Sequence, residues 1–167
     1  HGGALAEQGE LTTGIAELAE GIAGVRASGT EYTLPLFFAW LAELCAKGGR
    51  IEEGLAALEQ GRAMSEETED RFRLPEFDRI EGELLLVRSA RNQADAQACF
   101  ERSMQLARAR DAKCLELRAA TRLARLWGEQ GRCTEAHELL EPIYDWFTEG
   151  FDTADLKDAK ALLDALA

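Results

Sequence analysis

The chain has 167 residues, the length of one domain, and its 46% hydrophobic and 30% charged residues exclude a disordered segment. Its 31 acidic and 19 basic residues leave a formal charge of −12, which argues against nucleic acid as a partner, because phosphate binding rests on clustered Lys and Arg. No apolar run approaches the roughly 18 residues that span a bilayer, and no secretory leader opens the chain, so a cytoplasmic protein with no membrane partner is expected.

Taken in chain order, apolar spacing predicts a first helix over about Leu11–Ala27. Helix pairs follow at about Pro35–Ala46 with Ile51–Thr68, Pro75–Ser89 with Ala94–Ala109, and Cys114–Glu129 with Thr134–Phe147. A last helix runs from about Thr153 to the end, with Leu156, Ala159, Leu162, Leu163 and Leu166 as its apolar stripe and Asp152 and Asp155 at its positive end. It has no partner helix and is expected to cap the last pair, near Trp146 and Phe147. Pro142 falls inside a helix and should bend it near Glu138. No stretch alternates with the period of a strand.

These helices repeat. A small residue followed four positions later by a large apolar one occurs at Gly14/Leu18, Gly54/Leu58, Ala96/Phe100 and Ala136/Leu140, in steps of 40, 42 and 40 residues. The upstream helices carry their own small residues at Ala42, Gly82 and Ala124, where antiparallel helices can approach closely. Gly9, Gly49 and Gly131 stand where a left-handed helix cap needs glycine. Pro35 and Pro75 sit in first helical turns, where proline is favoured. The whole chain, 1–167, reads as one repeat domain with units at about 1–28, 34–70, 74–110 and 113–149 and a cap at 153–167. Spacing places a matching small residue at Gly2, within a helix that has no beginning, so the first repeat reads as truncated and the chain as a piece of a longer protein.

Residues for catalysis are sparse. No phosphate-binding glycine loop occurs, the serines lack a nucleophile-elbow context, and His1 and His137 are the only histidines. Cys45, Cys99, Cys114 and Cys133 have no metal-ligand spacing and read as small core hydrophobes. No enzyme activity, cofactor or metal is expected in this chain.

The first helices of stacked pairs line a concave face, on which residues at i, i+4, i+7 and i+11 lie together. The last pair places Arg118, Arg122, Arg125 and Glu129 there, with Thr121 beside them. The middle pair places Glu76, Ile80, Glu83 and Val87, flanked by Arg79, and the preceding pair Leu36, Trp40, Glu43 and Lys47. Trp40, Glu43, Arg79, Glu83, Arg118, Thr121, Arg122 and Arg125 are therefore the candidate partner groove. A basic stripe on an acidic chain suits an acidic segment. The competing reading is that the arginines only form salt bridges, as Arg79 can with Glu83, and that Trp40 packs between repeats.

The small-large repeat resembles the tetratricopeptide family, with steps longer than its usual length of about 34 residues. Longer steps of this kind look like those of maltose-regulator-type ATP-dependent transcription activators. The runs Ile80–Leu86, Leu117–Trp127 and Trp146–Leu156 resemble the carboxyl end of large bacterial proteins. In those proteins a class III adenylate/guanylate cyclase domain or a DNA-binding domain precedes an ATPase module and a helical tail. The resemblance implies a right-handed, all-α solenoid acting as a sensor or scaffold tail, with cyclase and ATPase chemistry upstream. Some tetratricopeptide domains hold a terminal carboxylate with basic and amide residues. Arg118 and Arg122 match that basic pair, while Ala39, Glu43 and Ile80 replace its Lys and Asn positions. The expected function is a non-catalytic interaction module, binding a peptide segment or an upstream domain of the same protein. An architectural oligomerisation element is the alternative, and an enzyme a more distant one.

Overall fold

The computed structural model describes residues 11–29, 31–67 and 71–167, and among these every regular element is a helix. Eight α-helices occur there: α1 Leu11–Ser28, α2 Leu34–Lys47, α3 Ile51–Glu67, α4 Leu74–Arg88, α5 Gln93–Arg108, α6 Lys113–Glu129, α7 Cys133–Tyr144 and α8 Ala154–Leu166. Their starts and ends fall within about two residues of the apolar periodicity, except in α7. That helix stops at Tyr144 and not at Phe147, two residues after Pro142, whose ring removes the amide that the Glu138 carbonyl would accept. Gly2 and Gly9 lie outside the described residues.

Consecutive helices pack on one another, and α2 also touches α4, α4 touches α6, and α6 touches α8. The even-numbered helices thus lie side by side in one layer. α3, α5 and α7 each pack against the two even helices that flank them, and α1 packs on α2. The final helix occupies the place that the first helix of a further pair would take.

Small residues set these close approaches. A Cβ built on Gly54 would stand 2.7 Å from Leu84 Cδ2, one on Gly61 2.8 Å from the Phe77 ring, and one on Gly128 2.9 Å from Leu166. The apolar core forms one cluster over α1–α4, around Leu34, Phe38, Phe77 and Ile80, another over α5–α8, around Phe100, Leu117, Leu123 and Leu140, and a small third of Ile15, Leu44 and Cys45 between α1 and α2. Leu156, Ala159 and Leu163 of α8 are buried in the second, with Phe147 packed against it, but Trp146 is 57% exposed and meets Phe147 edge-on at 5.1 Å between ring centroids. The shortened α7 places Trp146 in the link instead of on a helix face.

Gly49 and Gly131 adopt φ of 69° and 78°, the left-handed caps expected of them. The α5–α6 turn uses Asp111 at φ 54° for the same bend. The α4–α5 turn, which carries the two extra residues, is built differently. Ser89 is extended, its hydroxyl accepts from Arg91 N at 3.2 Å, and Asn92 Nδ2 donates to Leu85 O at 3.0 Å. Of the cysteines, Cys45 and Cys99 are buried, whereas Cys114 and Cys133 are exposed. The latter two stand in the first turns of α6 and α7 on their outward sides, so the reading of all four as core residues holds only for two.

Candidate partner groove

The centre of the even-helix layer, α4, buries three charged side chains. Leu74-Pro75 starts α4, and its next turn turns Glu76, Asp78 and Arg79 into the interior. Arg79 is only 3% exposed. Its Nη2 donates to Glu76 at 3.0 Å, its Nη1 donates to Glu83 at 2.6 Å, and Glu43 of α2 stands 3.6 Å away. The Arg79–Glu83 salt bridge expected from the i, i+4 spacing is therefore present, with Arg79 buried and Glu83 partly so. Burial works against the Arg79 charge, yet Glu76 and Glu83 raise its pKa above the ordinary arginine value. Burial likewise works to raise the Glu76 carboxyl, but Arg79 and then Arg118 outweigh it and hold the group below the usual carboxylate range.

On α6 the i, i+4, i+7 spacing brings Arg118, Arg122 and Arg125 to one face, as expected, but each arginine already has a carboxylate. Arg118 Nε donates to Asp155 of α8 at 2.7 Å and its Nη1 reaches Glu76 at 3.3 Å. Arg122 pairs with Glu83 at 2.6 Å, and Arg125 Nη2 donates to Asp158 of α8 at 2.7 Å. Thr121 is buried, and its hydroxyl donates to Leu117 O at 2.8 Å, one turn back in its own helix. With Lys47, which lies 3.4 Å from Glu43, the network holds five cations against Glu43, Glu76, Glu83, Asp155 and Asp158. The expected basic stripe is neutral as folded, and α8 supplies two of its five carboxylates.

A cavity of about 200 Å³ opens on this layer, lined by Trp40, Glu43, Arg79, Arg118, Thr121, Arg122, Asp155 and Asp158. Six of the eight residues expected in the groove meet there. Glu83 and Arg125 do not. They line a second hollow of about 320 Å³, which shares Arg122 and has Leu86, Val87 and Leu126 for apolar walls. Trp40 is 48% exposed, with its ring edge-on to Phe37 at 5.6 Å between centroids, so it stands in the groove and not between repeats. The sequence places Glu76 on this face but not among the groove residues, reads Asp155 only as a charge at the start of the last helix, and gives no role to Asp158. The i, i+3 spacing of Asp155 and Asp158 was the available signal, hidden because it matters only once α8 lies beside α6.

A second polar network lies between α3, α4 and α5. Asp78, 2% exposed, accepts from Arg62 at 2.7 Å and Arg102 at 3.3 Å, and Glu81 meets the same two arginines. His137 is half-buried, its Nδ1 3.7 Å from Glu141. Among the described residues no cluster of His, Cys, Asp and Glu could hold a metal ion, and no helix is long and apolar enough to cross a membrane. No family model, curated protein or solved structure matches the chain.

Proposed function

We propose that this chain is a non-catalytic interaction module, a right-handed solenoid of tetratricopeptide-like pairs whose even-helix face receives a peptide segment or a neighbouring domain. The observation that carries this reading is Trp40, a large aromatic left half-exposed at the rim of a cavity lined by four helices. Exposed aromatics in concave, polar surroundings are frequent anchors of binding energy. The 40-residue period, the side-by-side even helices and the glycine-mediated approaches support the solenoid. The resemblance of the Trp146–Leu156 run supports a place at the end of a larger bacterial signalling protein, of the cyclase–ATPase or transcription-regulator kind, as its sensor or scaffold tail.

The test is a selection of decapeptides from a random display library on the whole chain. Selected peptides are then titrated against Trp40→Ala and Glu43→Gln, two groove variants that leave the α6–α8 contacts in place. The expected result is a loss of about tenfold or more on Trp40→Ala, since anchor truncation is worth roughly 2 kcal/mol. Peptides that bind both variants as tightly as the parent, or a selection that yields none, would overturn the proposal.

A further inference from the structure

Two groups of α8 meet the stripe in register: Asp155 on Arg118 and Asp158 on Arg125, both at 2.7 Å. The same helix buries Leu156, Ala159 and Leu163 against α6 and α7. Its carboxylates at i and i+3 thus lie beside apolar residues at i+1, i+4 and i+8, the pattern of an acidic amphipathic helix laid on a basic, apolar bed.

We infer that the α6–α7 face is a helix-docking surface, filled in this chain by its own α8, and that its partner is an acidic amphipathic helix of matching pattern. The inference rests on the reading of the even-helix layer as a partner surface and names the chemistry that layer takes. Three observations carry it. The first is charge. With α8 in place the network holds five cations and five carboxylates, and without Asp155 and Asp158 it holds five against three. An incoming acidic helix restores the balance, whereas a basic one meets uncompensated arginines. The second is the tether. None of residues 145–153, which join α7 to α8, is fully buried, and of these Phe147 packs partly against the α5–α8 core, so the link keeps the helix near its bed through few contacts of its own. The third is the size of the anchor. α8 buries three residues where α6 buries nine, and a 13-residue helix is marginal when detached. The intramolecular copy holds the site by proximity, through a high effective concentration and few contacts.

The experiment uses the full chain and a fluorescent synthetic peptide with the sequence of residues 151–167. The peptide is titrated against the parent and against a Leu156→Ala/Leu163→Ala chain, whose own α8 is weakened. The weakened chain should bind it at least about tenfold more tightly than the parent. A peptide with Lys at both aspartate positions should show no such gain, and Arg118→Glu in the weakened chain should abolish it. Equal binding by parent and weakened chain, or equal binding of the lysine peptide, overturns the inference. Hydrogen exchange of the parent gives an independent reading if the weakened chain does not fold. Amides of α8 should exchange at least about tenfold faster than those of α6, and exchange of α8 only with global unfolding overturns the inference. The Trp40 and Glu43 variants leave this surface intact, so failure of the groove and failure of the docking surface are separable.

Discussion

Phe100 lies face to backbone with Gly82, so that a Cβ on the glycine would stand 2.5 Å from Cε1 of the ring and 2.9 Å from Cζ. Phe100 is fully buried and has nowhere to retreat. Gly82→Ala should therefore destabilise the chain by about 1–2 kcal/mol, the overpacking outweighing the roughly 1 kcal/mol that alanine adds to helix propensity. Gly21→Ala, where nothing lies within 4 Å, should stabilise by up to about 1 kcal/mol. Urea denaturation of both variants checks the pair. Equal shifts would mean that α4 and α5 are farther apart than the structure places them.

Arg79 holds three carboxylates from the interior of the layer, two of them through hydrogen bonds. Arg79→Met should cost up to about 3 kcal/mol, because buried Glu76 is left with Arg118 and partly buried Glu83 with Arg122 as their remaining counter-charges. Adding Glu76→Met should recover much of that loss, since an apolar pair of similar volume needs no counter-charge. A double-mutant cycle in denaturant measures this, and a second substitution that only adds to the loss would show that the pair stabilises outright.

The carboxyls of Glu76 and Glu116 are both held below their ordinary value of 4.5, by Arg79 and Arg118 in one case and by Arg108 and Lys113 in the other, against the opposing effect of burial. Between the folded and unfolded pKa values the unfolded chain binds more protons, so stability rises with pH across that window. The contribution is complete above the ordinary carboxylate range and disappears as pH falls through the lowered values. Melting temperature should drop steeply between about pH 5 and about pH 3, and Glu76→Gln should flatten the drop while lowering stability at neutral pH. A slope unchanged by that substitution would remove Glu76 from the account.

The turns before α6 and α7 make the same left-handed bend with different residues, Asp111 and Gly131. A residue with a Cβ loses roughly 1 kcal/mol or more in that conformation. Gly131→Ala should lower stability by about 1 kcal/mol, and Asp111→Gly should leave it level or raise it by about 0.5 kcal/mol. Thermal melts of the two variants decide whether the bend, and not the side chain, is what these positions require.

Among the described residues, helix number, every helix limit but the end of α7, and the two glycine caps were legible in the sequence because each depends on neighbours within a turn or two. Arg118, Arg122 and Arg125 were placed on one face for the same reason. Their partners were not legible, because Asp155 and Asp158 lie 37 and 33 residues further along the chain and arrive only when α8 docks. The burial of Arg79 was hidden similarly: it is charged by type, and the position of α4 between α2 and α6 is a tertiary fact. Cys114 and Cys133 misled because cysteine is small and apolar by type, whereas exposure at a helix start depends on what the next helix leaves uncovered.

Those two exposed thiols have a practical consequence. Cys45 is buried, and burial, with Glu53 adding to it, pushes its thiol up to about 11, while Cys99 is raised as well by burial and then by Glu81. Only thiolates react with maleimides and aromatic disulfides, so the native chain offers such reagents two sites out of four. Cys114 opens α6 and Cys133 follows its end, which places them apart by about 25 Å, the length of a 17-residue helix. A donor and acceptor dye pair on the natural cysteines would thus form a molecular ruler laid along one helix, readable without altering a single residue of the chain.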